Sequence, residues 1–285
     1  MVVQHNLQAA NTNRMLGANV KAVQKSTEKL SSGYQVNRAA DDAAGLSISE
    51  KMRNQIRGIN QSVKNAEDGV SLIQTAEGNM GEIHSILQRM GELATKAAND
   101  VNATEDRQAI QDEINELAAE IDAISTKAAF NGTKLLNGTF TGKQLQVGAN
   151  SGENMKISIE AMNASKLFGA KGSEIAANTS AGSTQPLNMF SHGNASNAMS
   201  LISSAIKTVS AARSALGAKQ NRLEYTIDNL ENYSENLTAA ESQIRDTDMA
   251  TEMTNYTKNN ILQQAAQSML AQANQSTQGV LSLLQ

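Results

Sequence analysis

Cysteine and tryptophan are absent from this 285-residue sequence, proline occurs once, and aromatic residues make up 3% of the chain. The absence of cysteine excludes disulfides, thiol catalysis and metal sites with cysteine ligands. With so few aromatic side chains, a core must be built from leucine, isoleucine, valine, methionine and alanine. A single proline leaves almost no obligatory helix breaker, which favours long helices packed on one another.

A basic excess and a long apolar run are also missing. The net charge of −4 provides no positive footprint for nucleic acid or for an anionic membrane, and no stretch approaches the roughly 18 apolar residues of a membrane span. The N-terminal segment MVVQHNLQAANTNRML lacks a basic region followed by an apolar one, so we expect no Sec signal. We therefore expect neither nucleic acid nor membrane as a partner, and any export uses another route.

Heptad periodicity is the strongest positive signal. Apolar or small residues alternate at spacings of three and four over 16–30, 70–97, 110–124, 202–244 and 262–283. This spacing averages 3.5 residues, which is typical of a coiled-coil seam. Because alanine, serine and polar residues dilute the seam near the C-terminus, it buries little apolar area per turn. We expect the two chain ends to be weakly folded alone and to gain order against a partner.

The middle of the chain has a different pattern. The stretch FNGTKLLNGTFTGKQ (130–144) contains two Asn-Gly turn signals. The next stretch, 145–160, predicts two short strands around a turn, with Leu145 and Val147 facing Met155, Ile157 and Ile159. Residues 161–198 show no sustained period, and we interpret them as an exposed, loosely packed segment.

These patterns predict a mainly α fold, in which long antiparallel coiled-coil helices come from both chain ends. A small β-hairpin and a short variable outer segment complete it. The predicted domains are a terminal-helix domain, a helical bundle with the hairpin and a variable exposed segment, covering 1–44 plus 246–285, 45–160 plus 199–245, and 161–198 respectively.

Residue patterns for catalysis or metal binding are weak. The histidines share no ligand spacing and are His5, His84 and His192. The stretch GTFTGKQ differs from a phosphate-binding loop in its glycine spacing and in having Gln144 where a magnesium-binding hydroxyl is needed. Adjacent Asp41 and Asp42 are better explained as acids at a helix start. We therefore expect no catalytic residue, metal or cofactor.

Several long blocks resemble one protein family in order along the chain. LSSGYQVNRAADDAAGLSISEKMRNQIRGI (30–59) resembles the N-terminal signature of bacterial flagellins, and NLTAAESQIRDTDMATEM (236–253) with KNNILQQAAQSMLAQANQSTQGVLSLLQ (258–285) resembles the C-terminal one. The stretches SLIQTAEGNM, ILQRMGELA and FNGTKLLNG also match. The resemblance covers about 1–160 and 198–285 and is greatest to flagellins of Gram-positive bacteria.

The resemblance implies a structural subunit that polymerises into the flagellar filament for motility. Its terminal helices would form the inner tube and fold on assembly, after export in an unfolded state through the flagellar type III channel. The implied partners are other copies of the chain, an export chaperone, and cap and junction proteins, at an extracellular location. The seam residues expected to carry polymerisation, with an intramolecular core as an equal alternative, are Leu16, Val20, Val23, Leu30, Leu262, Met269, Val280 and Leu283.

The resemblance also implies a surface recognised by Toll-like receptor 5, the vertebrate flagellin sensor. The family motif maps onto Gln88, Arg89, Leu93, Ile110 and Glu113. On a helical wheel Leu93 falls at the border of the core stripe, so we predict a partly exposed leucine beside an arginine. Gly91 stands where strongly signalling relatives commonly carry arginine, and we predict that it changes receptor strength without abolishing contact.

Two alternatives to a filament subunit remain at this point. A flagellar hook–filament junction protein shares terminal heptads but differs in the signature blocks. An enzyme displayed on a helical scaffold would need a catalytic constellation in 161–198, where His192 stands alone.

Overall fold

The computed structural model describes residues 6–169 and 187–283, without the side chains of 277–283. The helices are α1 (Leu7–Ser32), α2 (Ala43–Ala97), α3 (Thr104–Lys127), α4 (Ala164–Phe168), α5 (His192–Arg245) and α6 (Met249–Leu283). The strands are β1 (Ala129–Phe130), β2 (Thr133–Lys134), β3 (Lys143–Gln146) and β4 (Asn154–Ile157). The prediction of a mainly α chain with small antiparallel strand pairs is confirmed.

The chain divides into two compact units. The terminal unit is the described part of Met1–Ile56 and Glu235–Gln285, and the core unit is the described part of Arg57–Ser234. The domain division predicted from the sequence, with boundaries at 44/45 and 245/246, remains a prediction.

Side-chain caps explain where several helices begin. Asn6 accepts a hydrogen bond from the Ala9 amide at 3.0 Å, and Asp42 accepts from the amides of Ala44 and Gly45. Each cap satisfies amide groups that have no partner within the helix. Helix α1 ends at Gly33, whose φ of 76° is the left-handed conformation that glycine adopts without steric cost.

In the core unit, α2 and α5 run antiparallel. Three contacts fix the direction: Gly69 lies against Leu223, Glu77 pairs with Arg213 at 3.3 Å, and Gly91 lies near Ile202. As the residue number rises on α2 it falls on α5. These helices, α3 and the strand pairs enclose one continuous cluster of 33 buried apolar residues.

Two short hairpins close over this cluster. In β1–β2 the turn residues Asn131 and Gly132 both have positive φ, which the two-residue Asn-Gly turn requires. In β3–β4 the register pairs Leu145 with Met155, as the alternating pattern predicted. Gly69 on α2 leaves room for this hairpin, since a Cβ there would lie 2.4 Å from Leu145 Cδ2.

The terminal unit is built mainly from α1 packed along α6. The side chain of Asn6 also donates to the Ala273 carbonyl at 3.1 Å. The segments that follow α1 and α5 are joined by a short antiparallel bridge between Tyr34 and Asp246, and the Arg245 guanidinium lies 4.7 Å from the Tyr34 ring centroid. Among the described residues of this unit, Val36 and Ala273 are the only buried apolar ones.

Only part of the predicted seam on α6 faces α1. Leu262 and Met269 are 42% and 53% exposed, so they do not lie in the interface with α1. The half-buried or buried row on α6 contains Tyr256, Asn259, Gln263, Ala266, Leu270 and Ala273. Ala266 and Ala273 belong to the predicted seam as well, whereas Gln263 and Leu270 take the places of Leu262 and Met269.

The prediction of an exposed, loosely packed segment at 161–198 is also wrong for its two flanks. On one side Met162, Ala164 and Phe168 are buried, and on the other Leu187 and Met189 are buried. Helix α5 then begins at His192, earlier than the predicted bundle boundary. These short apolar segments show no helical or strand periodicity in the sequence because their side chains fill gaps in the core. The rest of that segment, 170–186, lies outside the described residues.

Candidate functional site

The five residues predicted for receptor contact come together on α2 and α3. Two guanidinium nitrogens of Arg89 donate to Glu113 Oε1 at 3.1 and 2.9 Å, and a third donates to Glu92 at 3.1 Å. The hydrogen bond with Glu113, followed by that with Glu92, raises the pKa of Arg89 above its ordinary value. Gln88 is exposed one position away, with its amide nitrogen 3.1 Å from His84 Nε2.

Leu93 and Ile110 lie beneath this ion pair in an open groove of about 500 Å³. The prediction of a partly exposed Leu93 is wrong, because its side chain is 4% exposed and that of Ile110 is 5% exposed. Helix α3 packs over the edge of the apolar face of α2, where Leu93 lies. A helical wheel drawn for α2 alone cannot show this neighbouring helix. The groove has an apolar floor and charged sides, formed by Arg89, Glu92, Lys96, Asp106 and Glu113.

Gly91 lies on the opposite flank of α2, half-buried beside α5. A Cβ built there would lie 3.8 Å from Ile202 Cγ2, which is ordinary van der Waals contact. Packing therefore does not require glycine at this position. This distinguishes Gly91 from Gly58, where a Cβ would lie 3.0 Å from Ala149 Cβ.

Two buried polar side chains on α3 hold the chain segment that precedes α5. Gln111 donates to the Leu187 carbonyl at 2.9 Å and accepts from the Met189 amide at 2.8 Å. Arg107 donates to the Phe190 carbonyl and pairs with Asp100 at 3.0 Å. We did not predict these roles from the sequence. Arg107 extends the heptad spacing of α3 three residues before Ile110, and that spacing was the available signal. Gln111 directly follows Ile110 and lies off the seam, so the spacing gave no signal for it.

The terminal unit exposes a large share of apolar side chains. Of the eleven large hydrophobic residues exposed in the described chain, eight belong to this unit. They are Leu7, Met15, Ile48, Met249, Met253, Ile261, Leu262 and Met269. We refer to this set as the terminal apolar surface.

The predicted polymerisation residues divide into three groups. On α1 the side chains are half-buried, and these are Leu16, Val20, Val23 and Leu30. On α6, Leu262 and Met269 belong to the terminal apolar surface. Val280 and Leu283 belong to α6, but their side chains lie outside the described residues. The terminal apolar surface also contains Met15 and Ile261, which lie off the predicted seam.

The acid pair has a structural role. Asp41 accepts from the amides of Asn37 and Arg38 and pairs with Lys25 at 2.9 Å. The Lys25 ammonium, followed by the Arg38 amide, lowers the pKa of Asp41. Because these carboxylates bind amides and an ammonium group, they are engaged at helix ends. His5 lies outside the described residues.

Over the ranges that the structure describes, no group of histidines and carboxylates is arranged to hold a metal ion. The helices of the same ranges all fall short of the apolar length that a membrane crossing requires.

Comparison with known families gives two matches at the ends of the chain. Residues 3–141 match the bacterial flagellin N-terminal helical region, and residues 199–284 match the bacterial flagellin C-terminal helical region. The chain is 51% identical to flagellin of Halalkalibacterium halodurans and 50% identical to flagellin of Bacillus subtilis strain 168, with all of each chain covered.

The solved structure of a putative flagellar hook-associated protein from Vibrio parahaemolyticus is similar to this chain, with a TM-score of 0.58. It covers 72% of this chain and all of its own, but at 14% identity it shows the fold alone. By contrast, the chain is about half identical to flagellins over their full length, and this does not favour the junction-protein alternative. The chain belongs to the bacterial flagellin family, whose members are structural subunits of the flagellar filament and not enzymes.

Proposed function

We propose that the terminal apolar surface is where this subunit joins neighbouring copies in the flagellar filament. The observation that carries the proposal is the imbalance within the terminal unit, where eight large apolar side chains are exposed and two apolar residues are buried among those described. The partner at this surface is a second copy of the chain. A contact that repeats head to tail without closing builds a fibre, and flagellins are subunits of such a fibre.

The residues assigned to subunit contacts follow from their exposure. Leu262, Met269 and Ile261 point away from α1, so they are available to neighbours. Leu16, Val20, Val23 and Leu30 hold α1 against α6 and act through that pair. Val280 and Leu283 stay in the proposal on the heptad pattern of the sequence. The predicted terminal-helix domain, 1–44 plus 246–285, is the part proposed to line the filament interior.

The test is a double substitution, Leu262→Lys with Met269→Lys. Because both side chains are exposed in the free subunit, the circular dichroism of the monomer stays unchanged while sedimentable filaments disappear. The matched control is Leu262→Met with Met269→Leu, which keeps apolar volume and continues to assemble. A double-lysine variant that assembles at the parent's critical concentration contradicts the proposal.

Assembly and folding are coupled in this proposal. An α1–α6 pair with almost no buried apolar core gains little from its own packing, since most helical stability in proteins comes from burying an amphipathic face. The pair becomes ordered when neighbours cover it. Hydrogen exchange on α1 and α6 is expected to slow strongly between free subunit and filament, and equal protection in the two states contradicts the coupling.

We propose in addition that the chain leaves the cell unfolded through the flagellar export channel, with a dedicated chaperone before export and with cap and junction proteins at the filament. One feature supports this route: the absence of cysteine prevents crosslinks that would block a narrow channel. Mass spectrometry of the extracellular protein is expected to find the segment MVVQHNLQAANTNRML intact. Its removal contradicts the proposal.

A second function, recognition by Toll-like receptor 5, is supported by the groove between α2 and α3. The residues implied by the family resemblance lie together there: Arg89 and Glu113 form an ion pair, and Leu93 and Ile110 form the apolar floor. Gln88 extends the exposed side. Arginine is among the residues enriched in contact hot spots, and Arg89 lines this groove.

The receptor proposal is tested by Arg89→Ala in a cell assay for receptor signalling. Signalling is expected to fall, whereas the control Arg222→Ala, an exposed arginine on α5, leaves it unchanged. Gly91→Arg is expected to raise signalling, because strongly signalling relatives commonly carry arginine there and a Cβ at this position meets only ordinary contact. An Arg89→Ala variant as potent as the parent contradicts the receptor site, and an unchanged Gly91→Arg contradicts the role of Gly91.

A further inference from the structure

The methionines of this chain divide sharply between the two units. In the terminal unit Met15, Met249, Met253 and Met269 are between 47% and 53% exposed. In the core unit Met80, Met90, Met155, Met162 and Met189 are all buried. The remaining two described methionines are half-buried and are Met52 and Met199. Half of the terminal apolar surface therefore consists of methionine.

Exposure decides which of these thioethers an oxidant reaches. A two-electron oxidant such as hydrogen peroxide transfers one oxygen atom to the sulfur: its O–O bond breaks, an S–O bond forms, methionine becomes the sulfoxide and the peroxide is reduced to water. The chain contains no cysteine to react first. Within the part of the chain that the structure describes, the exposed methionines are thus the most accessible sulfur atoms, and the buried ones are protected by the core.

We propose that these four methionines make the filament-joining surface oxidation-sensitive, so that peroxide-treated free subunits no longer assemble. This inference rests on the proposed function of the terminal apolar surface. A sulfoxide is polar, and burying it against a neighbour without a hydrogen bond is unfavourable. A methyl thioether in the same position is flexible and apolar, which suits an interface that must adapt to several neighbours.

Oxidation of these four methionines does not change the fold of the free subunit. Each of the four side chains is about half exposed, so its sulfoxide is solvated by water in the monomer. The 33-residue core cluster keeps its thioethers and its packing. Assembly is therefore lost while monomer structure is kept. A subunit already in the filament resists, because neighbours cover the same sulfur atoms.

The sensitivity is reversible by chemistry of a known class. Methionine sulfoxide reductases use thiol electrons to remove the oxygen as water, and two enzymes serve the two sulfoxide epimers. Repair restores the apolar surface, so a repaired subunit regains its ability to assemble. This reversibility separates methionine oxidation from irreversible damage elsewhere in the chain.

The experiment treats purified full-length subunit with hydrogen peroxide and maps the products by peptide mass spectrometry. Oxidation is expected at Met15, Met249, Met253 and Met269 and to be much lower at the five buried methionines. The monomer keeps its circular dichroism, and its rate of filament growth falls at least about tenfold, which corresponds to about 1.4 kcal/mol. Treatment with both sulfoxide reductases restores the rate. Equal oxidation of the buried methionines overturns the inference, as does an oxidised subunit that grows at the untreated rate.

The matched variant replaces all four exposed methionines by leucine. It is expected to assemble before treatment and to keep assembling after it, since leucine has similar volume and no sulfur. Loss of assembly to the parent's extent on treatment overturns the inference. Should the leucine variant not assemble untreated, rescue of the oxidised parent by the reductases decides the matter, and failure of rescue overturns it. The proposed function fails separately, through assembly of the double-lysine variant without any oxidant.

Discussion

The core unit and the terminal unit have similar helices but bury very different amounts of apolar surface. Among the described residues, the core unit has 34 buried apolar residues, 33 of them in one cluster, whereas the terminal unit has two and exposes eight large apolar side chains. Helical periodicity is clear in both. The difference teaches that a heptad pattern predicts a helix with an apolar face but does not say whether that face is covered within the chain or by another copy.

The largest expected difference between the units comes from apolar truncation. Leu87→Ala, at a fully buried core position, is expected to lower the free energy of unfolding by about 2–5 kcal/mol. Ile261→Ala, at a position that is 61% exposed, is expected to change it by less than about 0.5 kcal/mol. Urea unfolding of the free subunit measures both. Equal losses would remove the distinction between the units.

The next largest expected effect on the free energy of unfolding comes from Gln111, whose two hydrogen bonds to Leu187 and Met189 we call the polar clamp. Gln111→Leu removes both hydrogen bonds to the segment before α5 and leaves a buried carbonyl and amide without partners, at a cost of about 1–3 kcal/mol. The control is Gln108→Leu on the same helix, where the side chain pairs with exposed Asp112. In urea, Gln111→Leu should unfold at a lower midpoint than Gln108→Leu. Coinciding midpoints would show that the two hydrogen bonds of Gln111 do not contribute to the stability of the subunit.

Two glycines of α2 give a smaller contrast. Gly91→Ala is expected to stabilise the subunit by about 0.5–1 kcal/mol, because alanine has the higher helix propensity and the new methyl meets only ordinary contacts. Gly58→Ala is expected to lose this gain, since the methyl would press on Ala149 Cβ at 3.0 Å and on its Cα at 3.4 Å. Thermal unfolding compares them, and a larger gain for Gly58→Ala would contradict the packing argument.

The smallest expected effect is a pH dependence in each unit. Hydrogen bonds from the Asn150 side chain and backbone lower the pKa of Glu153 in the core unit, and those from Thr251, then Ala250, lower the pKa of Asp248 in the terminal unit. A carboxylate with a lowered folded pKa stabilises the fold above its unfolded pKa, near 4, and this contribution is lost as the pH falls through the folded value.

Carboxyl NMR titration of the subunit measures both midpoints, which are expected below the ordinary glutamate and aspartate values. Glu153→Gln and Asp248→Asn keep a hydrogen-bond acceptor but do not titrate, so each should remove its own part of the acid sensitivity. Midpoints at ordinary values would mean that the turn or the first turn of α6 is not formed in solution.

Sequence alone predicted most of the secondary structure, for reasons that are local. The heptad spacing predicts long helices, Asn131-Gly132 predicts a tight turn, and the alternation around Leu145 and Met155 predicts the paired strands. The sequence also placed Arg89 and Glu113 in one candidate site, through the resemblance of the ILQRMGELA stretch to flagellins. These features depend on residues close in the chain or on motifs kept in order.

The tertiary structure decided which faces are covered, because burial depends on neighbours distant in sequence. Helix α3 buries Leu93, which the wheel of α2 placed at an exposed border. The position of α1 on α6 covers Ala266 and Ala273 of the predicted seam and leaves Leu262 and Met269 exposed. Gaps in the core accept aperiodic Phe168 and Met189, which no repeat could indicate. Periodicity thus determines which side chains share a face, and packing determines whether that face meets the chain itself, water or another molecule.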